Sequence, residues 1–269
     1  MKLSEAGELD LLRELESRGL IVGVEHDAAE LEGGLVVTQD ALVEDVHFRL
    51  DWISWRELGY RAAAVNISDL SASAARPEAL LVTLAVPGDV EVASVLELYA
   101  GLAETGVPVV GGDTTRAGQV VVSVTALGRS ARVPGRAGAR PGDLVVVTGP
   151  LGGAGAAFRE GRLLRPPIRT EDGLRLGREA TAMLDVSDGL GVDAGHIAAR
   201  SGCRLALDLD AVPLAGTPAD LSFGEDFELL ATLPGDSPLL AELAVIGRCE
   251  EGEGVSPPEL GGYQHFAGS

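Results

Sequence analysis

Three β-rich runs alternate with two helical stretches in the first half of the chain, and this alternation restricts it to folds in which helices cover a sheet. The runs are LVVTQDALV (35–43), LLVTLAVP (80–87) and VVVSVTALG (120–128), and residues 55–75 and 91–105 carry helical character between them. An opening segment, SEAGELDLLRELESRG (4–19), spaces its apolar residues as an amphipathic helix does and ends on Gly19 as a stop. A basic stretch rich in glycine and proline, RSARVPGRAGARPGD (129–143), then breaks the pattern and marks a boundary. Beyond it, LVVVTGP (144–150) reads as a buried strand running into the small-residue segment LGGAGAAF. A polar arm around 159–180, a strand at 182–186 and a helix from about 188 follow, with LALDLDAV (205–212) and FELLATLP (227–234) as further strands. No repeat of fixed period occurs, which excludes solenoids and propellers. The expected fold class is α/β (α+β) in two domains, 1–135 and 136–269.

With 269 residues, 46% of them hydrophobic, the chain has ample apolar area for such a core. Its formal net charge of −20 argues against nucleic acid and anionic membrane as partners, since both attract basic surfaces. The first twenty residues carry charges throughout with no apolar leader core, and no stretch approaches the roughly 18 apolar residues that span a bilayer, so a cytoplasmic location is expected. Cys203 and Cys249 lie in no metal-binding spacing, and both read as buried thiols.

The charge poses a chemical question. A solvated acidic surface accounts for most of the 41 carboxylates but not for aspartates embedded in apolar runs. Five segments hold these: EHDAAEL (25–31), TQDALVEDVHF (38–48), NISDLSASAARP (66–77), GGDTT (111–115) and DVSDGLGVD (185–193). One aspartate at a strand end is more often a turn or cap residue than a ligand. Five such segments together point to a hard cation, because magnesium takes oxygen ligands from a few carboxylates and from substrate phosphates. GGDTT follows the apolar VPVV, which predicts a strand delivering Gly112 and Asp113 into a loop where backbone approaches a phosphate. In DVSDGL, Asp188 reads either as a helix cap or, with Asp185, as a metal ligand.

The same segments, in the same order, resemble those of thiamine-monophosphate kinases within the aminoimidazole-ribonucleotide-synthetase-like superfamily. GRAGARPGDLVVVTGPLGG (135–153), SFGEDFELL (222–230) and GYQHF (262–266) extend the resemblance over nearly the whole chain. It implies an N-terminal mixed-sheet domain that pairs in a homodimer, a C-terminal α/β domain, and ATP with several magnesium ions at their interface. Carried over position by position, it implies Asp27, Thr38, Asp40, Asp69, Asp113, Asp185 and Asp188 as magnesium ligands, with Asp113 and Asp188 catalytic. Gly112, Asp113, Arg136 and Ser187 are then the ATP site, and His47, Glu225 and Tyr263 contact thiamine monophosphate. The chain departs from the family pattern at Glu25-His26-Asp27, at Thr38-Gln39-Asp40, at Asp45 and at Phe223-Gly224-Glu225-Asp226. Two other readings stay open at this point: a related ATP- and magnesium-dependent enzyme with a different acceptor, and a non-catalytic nucleotide-binding homologue.

Overall fold

The computed structural model describes residues 3–22, 26–258 and 260–263. Helix α1 (Leu3–Ser17) opens the chain, broken at Gly7, and closes on Gly19, whose left-handed backbone (φ 66) stops it as the sequence predicts. Strands β1 (Ala29–Leu31) and β2 (Leu35–Val43), helix α2 (Trp55–Ala72), strand β3 (Arg76–Val86), helix α3 (Val92–Ala103) and strands β4 (Val109–Arg116) and β5 (Val121–Arg129) complete the first half. Their five-stranded sheet has the order β1-β2-β5-β3-β4 and is mixed: β3 and β4 run parallel, and the other pairs are antiparallel.

The second half contains β6 (Leu144–Val147), α4 (Gly153–Arg159), α5 (Thr170–Leu176), β7 (Ala182–Asp185), α6 (Leu190–Ser201), β8 (Arg204–Leu207), β9 (Leu229–Leu233), β10 (Ala244–Glu250) and β11 (Gly254–Ser256). These strands form a second, six-stranded mixed sheet in the order β11-β8-β10-β6-β9-β7. The polar arm therefore holds a helix, and β10, which no periodic run announces, sits in the middle of the sheet. A bulge between Val245 and Gly247 breaks the two-residue alternation there. No helix among the described residues is long and apolar enough to cross a membrane.

Helix α2 holds the halves together. Ser54 caps it and Glu57 closes the capping box, so its start is fixed before any packing. All its residues are buried except Trp55, Arg56, Glu57 and Asp69. Leu58, Ile67 and Leu70 pack on Val82, Val122 and Val124 of the first sheet, while Ala72 joins Val146, Met183 and Ala231 of the second. On the first-sheet side α3 crosses α2 with backbones almost touching. A Cβ on Gly59 would lie 1.9 Å from the Leu98 carbonyl oxygen, and one on Gly101 would lie 1.8 Å from that of Arg56.

The sheet corrects one expectation. GGDTT is not a loop: β4 continues through it to Arg116, paired in parallel with β3 from Gly111 opposite Leu81 to Arg116 opposite Val86. Gly112 makes this possible, because a Cβ there would fall 1.8 Å from the Val82 carbonyl oxygen.

The helix crossing yields a direct test. Gly101→Ala must push backbone away from backbone and is expected to cost about 3 kcal/mol of unfolding free energy. Gly118→Ala, where nothing lies within 4 Å of the added carbon, is expected to stay within about 0.5 kcal/mol. Urea titrations of the two variants check the pair.

Candidate active site: carboxylates between two sheets

Strand β1 stops opposite Val37, which leaves the outer edge of β2 free beyond that point. Asn66 of α2 fills the gap, its side-chain oxygen accepting the Asp40 backbone N–H at 2.9 Å while its amide donates to the Ala62 carbonyl at 2.9 Å. Strand alternation turns Thr38 and Asp40 to the face of β2 that carries buried Val36 and Leu42. The Thr38 hydroxyl donates to Asp69 Oδ2 at 2.5 Å. From the residue before Asp69 on α2, the Ser68 hydroxyl donates to Asp185 Oδ2, at the end of β7 in the second sheet. Arg136 reaches back from the inter-sheet connection and places Nε at 3.0 Å and Nη2 at 2.5 Å from Asp27 Oδ1. Asp27, Thr38, Asp40, Asp69, Asp185 and Arg136, drawn from both halves, thus converge.

The electrostatics of this cluster are unfavourable as it stands. Burial holds Asp69 well above the usual carboxylate range, and the charges of Asp185, Asp40 and Asp27 push the same way against the Thr38 hydrogen bond. Asp185 is pushed up to about 7, first by burial and then by Asp27, with Asp40 adding to it. Asp27 is also raised by burial, although Arg136 opposes the shift. Four carboxylates face one guanidinium. The donor set of this cluster is oxygen throughout, which fits a hard divalent cation and does not fit a soft one.

A second group adjoins the first. Asp188, Asp193 and His196 bring one ligand atom each within 4.8 Å of one another. Asp188 is not the cap of α6. Gly189 takes that position without a side-chain cap, and Asp193 instead accepts the backbone N–H groups of Asp188 (3.1 Å) and Gly189 (3.0 Å). Asp193 is buried and held well above its ordinary range, by burial and then by the charges of Asp188 and Asp185. Burial, with Arg136 and Arg200 nearby, lowers His196 to about 4, so its imidazole is neutral near pH 7. Sequence reasoning did not single out Asp193 and His196. Their three-residue spacing, which sets both on one face of a helix, was the available signal.

The remaining sequence-predicted residues divide. Glu225 and Tyr263 both dock on the loop after β7: the Glu225 N–H donates to the Ser187 carbonyl and the Tyr263 N–H to the Asp188 carbonyl, each at 2.8 Å. His47 sits in the turn after β2, its Nδ1 accepting the Val43 N–H at 3.0 Å. Gly112 and Asp113 stand apart. They lie exposed on edge strand β4, with β5 and β3 between them and β2, and no hydrogen bond or ion pair among the described residues ties Asp113 to the cluster. Glu25, and Gln264 to Phe266 of the GYQHF motif, lie outside the described residues.

Residues 25–130 match the family AIR synthase related protein, N-terminal domain. The chain is 34% identical to the thiamine-monophosphate kinase of Aquifex aeolicus (strain VF5), over 99% of its own length and 100% of the relative's. It is 36% identical to that of Mycobacterium tuberculosis (strain ATCC 25618 / H37Rv), over 87% and 80%. Among solved structures, AaThiL complexed with AMPPCP and TMP superposes with a TM-score of 0.91 at 33% identity, covering 99% of each chain. Similarity sustained from end to end, in sequence and in fold, decides the matter: the chain belongs to the thiamine-monophosphate kinase family.

Proposed function

We propose that the protein transfers the γ-phosphoryl group of ATP directly to thiamine monophosphate, giving thiamine diphosphate and ADP. The observation that carries this reading is the convergence of Asp40 and Asp185 from strands of the two sheets, Asp69 from α2 and Asp27 from the segment before β1 onto one oxygen-only site. The acceptor oxygens of a phosphate monoester are anionic near neutral pH, so no activated serine, cysteine or histidine is required. What the reaction requires is alignment of two mutually repelling phosphates.

Asp27, Thr38, Asp40, Asp69, Asp185 and Asp188 would hold magnesium, which would supply positive charge to neutralise the phosphoryl oxygens in an in-line displacement; Asp113, apart on β4, is not placed to join them. The chain's own residues do the rest. Thr38 and Ser68 orient Asp69 and Asp185 by hydrogen bonds, and Arg136 offers a permanently charged planar donor beside Asp27. Arg136 and Ser187 form the ATP side, with His47, Glu225 and Tyr263 on the acceptor side. In this reading residues 1–135 bind nucleotide and metal, residues 136–269 form the substrate side, and the enzyme works in the cytoplasm. It works as a homodimer. Among the described residues nothing covers the face of the first sheet turned away from α2, where Leu81 is 39% exposed, and Val110 on edge strand β4 is 63% exposed.

The primary assay is acceptor-dependent ADP release with thiamine diphosphate identified as product. Asp69→Asn and Asp185→Asn are each expected to lower kcat by about 100-fold or more; full turnover in either variant would remove the cluster from the mechanism. Dimerisation is checked separately. Leu81→Glu is expected to halve the mass seen in sedimentation equilibrium.

The raised carboxylates also give a pH dependence. Asp185 titrates near 7 folded against 3.8 ordinarily, so without metal the folded protein keeps a proton that the unfolded chain has lost between those values. That stabilisation is complete below about pH 4 and disappears as pH rises through about 7. A divalent cation displaces the proton and removes the repulsion. Saturating magnesium is therefore expected to raise Tm more at about pH 8 than at about pH 5.5, and an equal rise at both would contradict it.

A further inference from the structure

Arg61 of α2 is 2% exposed, a degree of burial an arginine sustains only when its charge is met. Its Nη1 donates to the Leu164 carbonyl at 2.8 Å, and its guanidinium lies over the Phe227 ring, 5.6 Å from the centroid. Nη2 is 2.9 Å from Glu225 Oε2, and Glu225 is the one carboxylate ion-paired with Arg61 among the described residues. Neither Nε nor Nη2 makes a hydrogen bond to any of them, so the pairing with Glu225 is one of opposite charge at short range.

Glu225 itself occupies an awkward backbone. Gly224 (φ 82), Glu225 (φ 57) and Phe227 (φ 54) all lie in the left-handed region, which disfavours residues other than glycine. Backbone bonds from Glu225 to Ser187 and from Phe227 to Val186 anchor this loop on the segment after β7, but they do not aim the Glu225 side chain. Arg61 does. It also shares a face of α2 with Ser68, seven residues on, whose hydroxyl bonds Asp185. One helix face therefore holds a carboxylate of the cluster at one end and Glu225 at the other.

We propose that Arg61 is the positioning residue for Glu225. By tying Oε2 it fixes the rotamer and presents Oε1 to an N–H-bearing group on the acceptor, thereby setting acceptor affinity. The proposal rests on the reading that Glu225 contacts the acceptor. In this proposal Arg61 acts through Glu225.

The test is a double-mutant cycle on steady-state constants. Arg61→Met keeps the buried volume and is expected to raise the acceptor KM about tenfold or more while the ATP KM stays within about twofold. Arg61→Lys, which restores a cation beside Glu225, is expected to recover part of that loss. In a Glu225→Gln background, Arg61→Met is expected to add nothing further to the acceptor KM. If Arg61→Met does not fold, Arg61→Gln, which keeps a donor for the Leu164 carbonyl, takes its place in the cycle. Equal increases in both KM values, or an Arg61 effect that persists undiminished without Glu225, would overturn the proposal alone. An acceptor KM unmoved by Glu225→Gln would overturn the substrate-contact reading and the proposal with it.

Discussion

The structure depends on a single helix buried by both of its neighbours. Nearly all of α2 is inaccessible to water, yet it carries Arg61, Asn66, Ser68, Asp69 and Ser71, and each polar group needs a partner in the layer it meets. Asn66 and Asp69 find theirs on β2, and Arg61 and Ser68 find theirs across the junction on Glu225 and Asp185. The hydrogen bonds of Asn66, Asp69 and Ser68 fix the relation of the two sheets more narrowly than the ion pair and the apolar contacts around them, because hydrogen bonds demand direction and apolar burial does not.

The placement of the cluster follows from that arrangement. A sheet delivers carboxylates to its ends or edges, a helix presents them along one stripe, and only the junction of the two sheets with α2 can bring four to one place. The net repulsion among them is a cost that the fold sustains through its other interactions. Negative charge gathered around a single arginine favours whatever cation can enter, and binding energy is thereby directed to the point where phosphate charge must be met.

Much of this was legible in the sequence, for reasons that differ from residue to residue. The run 35–43 coincides with β2 because apolar and polar residues alternate there against a one-sided core. Helix α2 was legible from the helical character of residues 55–75. β4 was not, because two consecutive glycines signal a turn locally, whereas pairing with β3 decides their conformation through contacts distant in sequence. The same limit explains Asp188. Its position before a helix suggests a cap, but Gly189 takes the N-cap position, and Asp193, the fourth residue of α6, accepts the N–H groups of Asp188 and Gly189. The ligand assignments at Asp27, Asp40, Asp69 and Asp185 came from resemblance, since spacing alone does not distinguish a ligand from a turn residue.

The crossing of α2 and α3 carries a consequence for how this protein can vary over generations. At most packed positions a larger side chain is accommodated when a neighbour becomes smaller, so lineages drift through paired exchanges. Gly59 and Gly101 face main-chain carbonyl oxygens, which no codon change can shrink. No compensating partner exists for either site. Variation along this crossing is therefore channelled into the exposed face of α3, while Gly59 and Gly101 admit no larger residue that keeps the two backbones in contact.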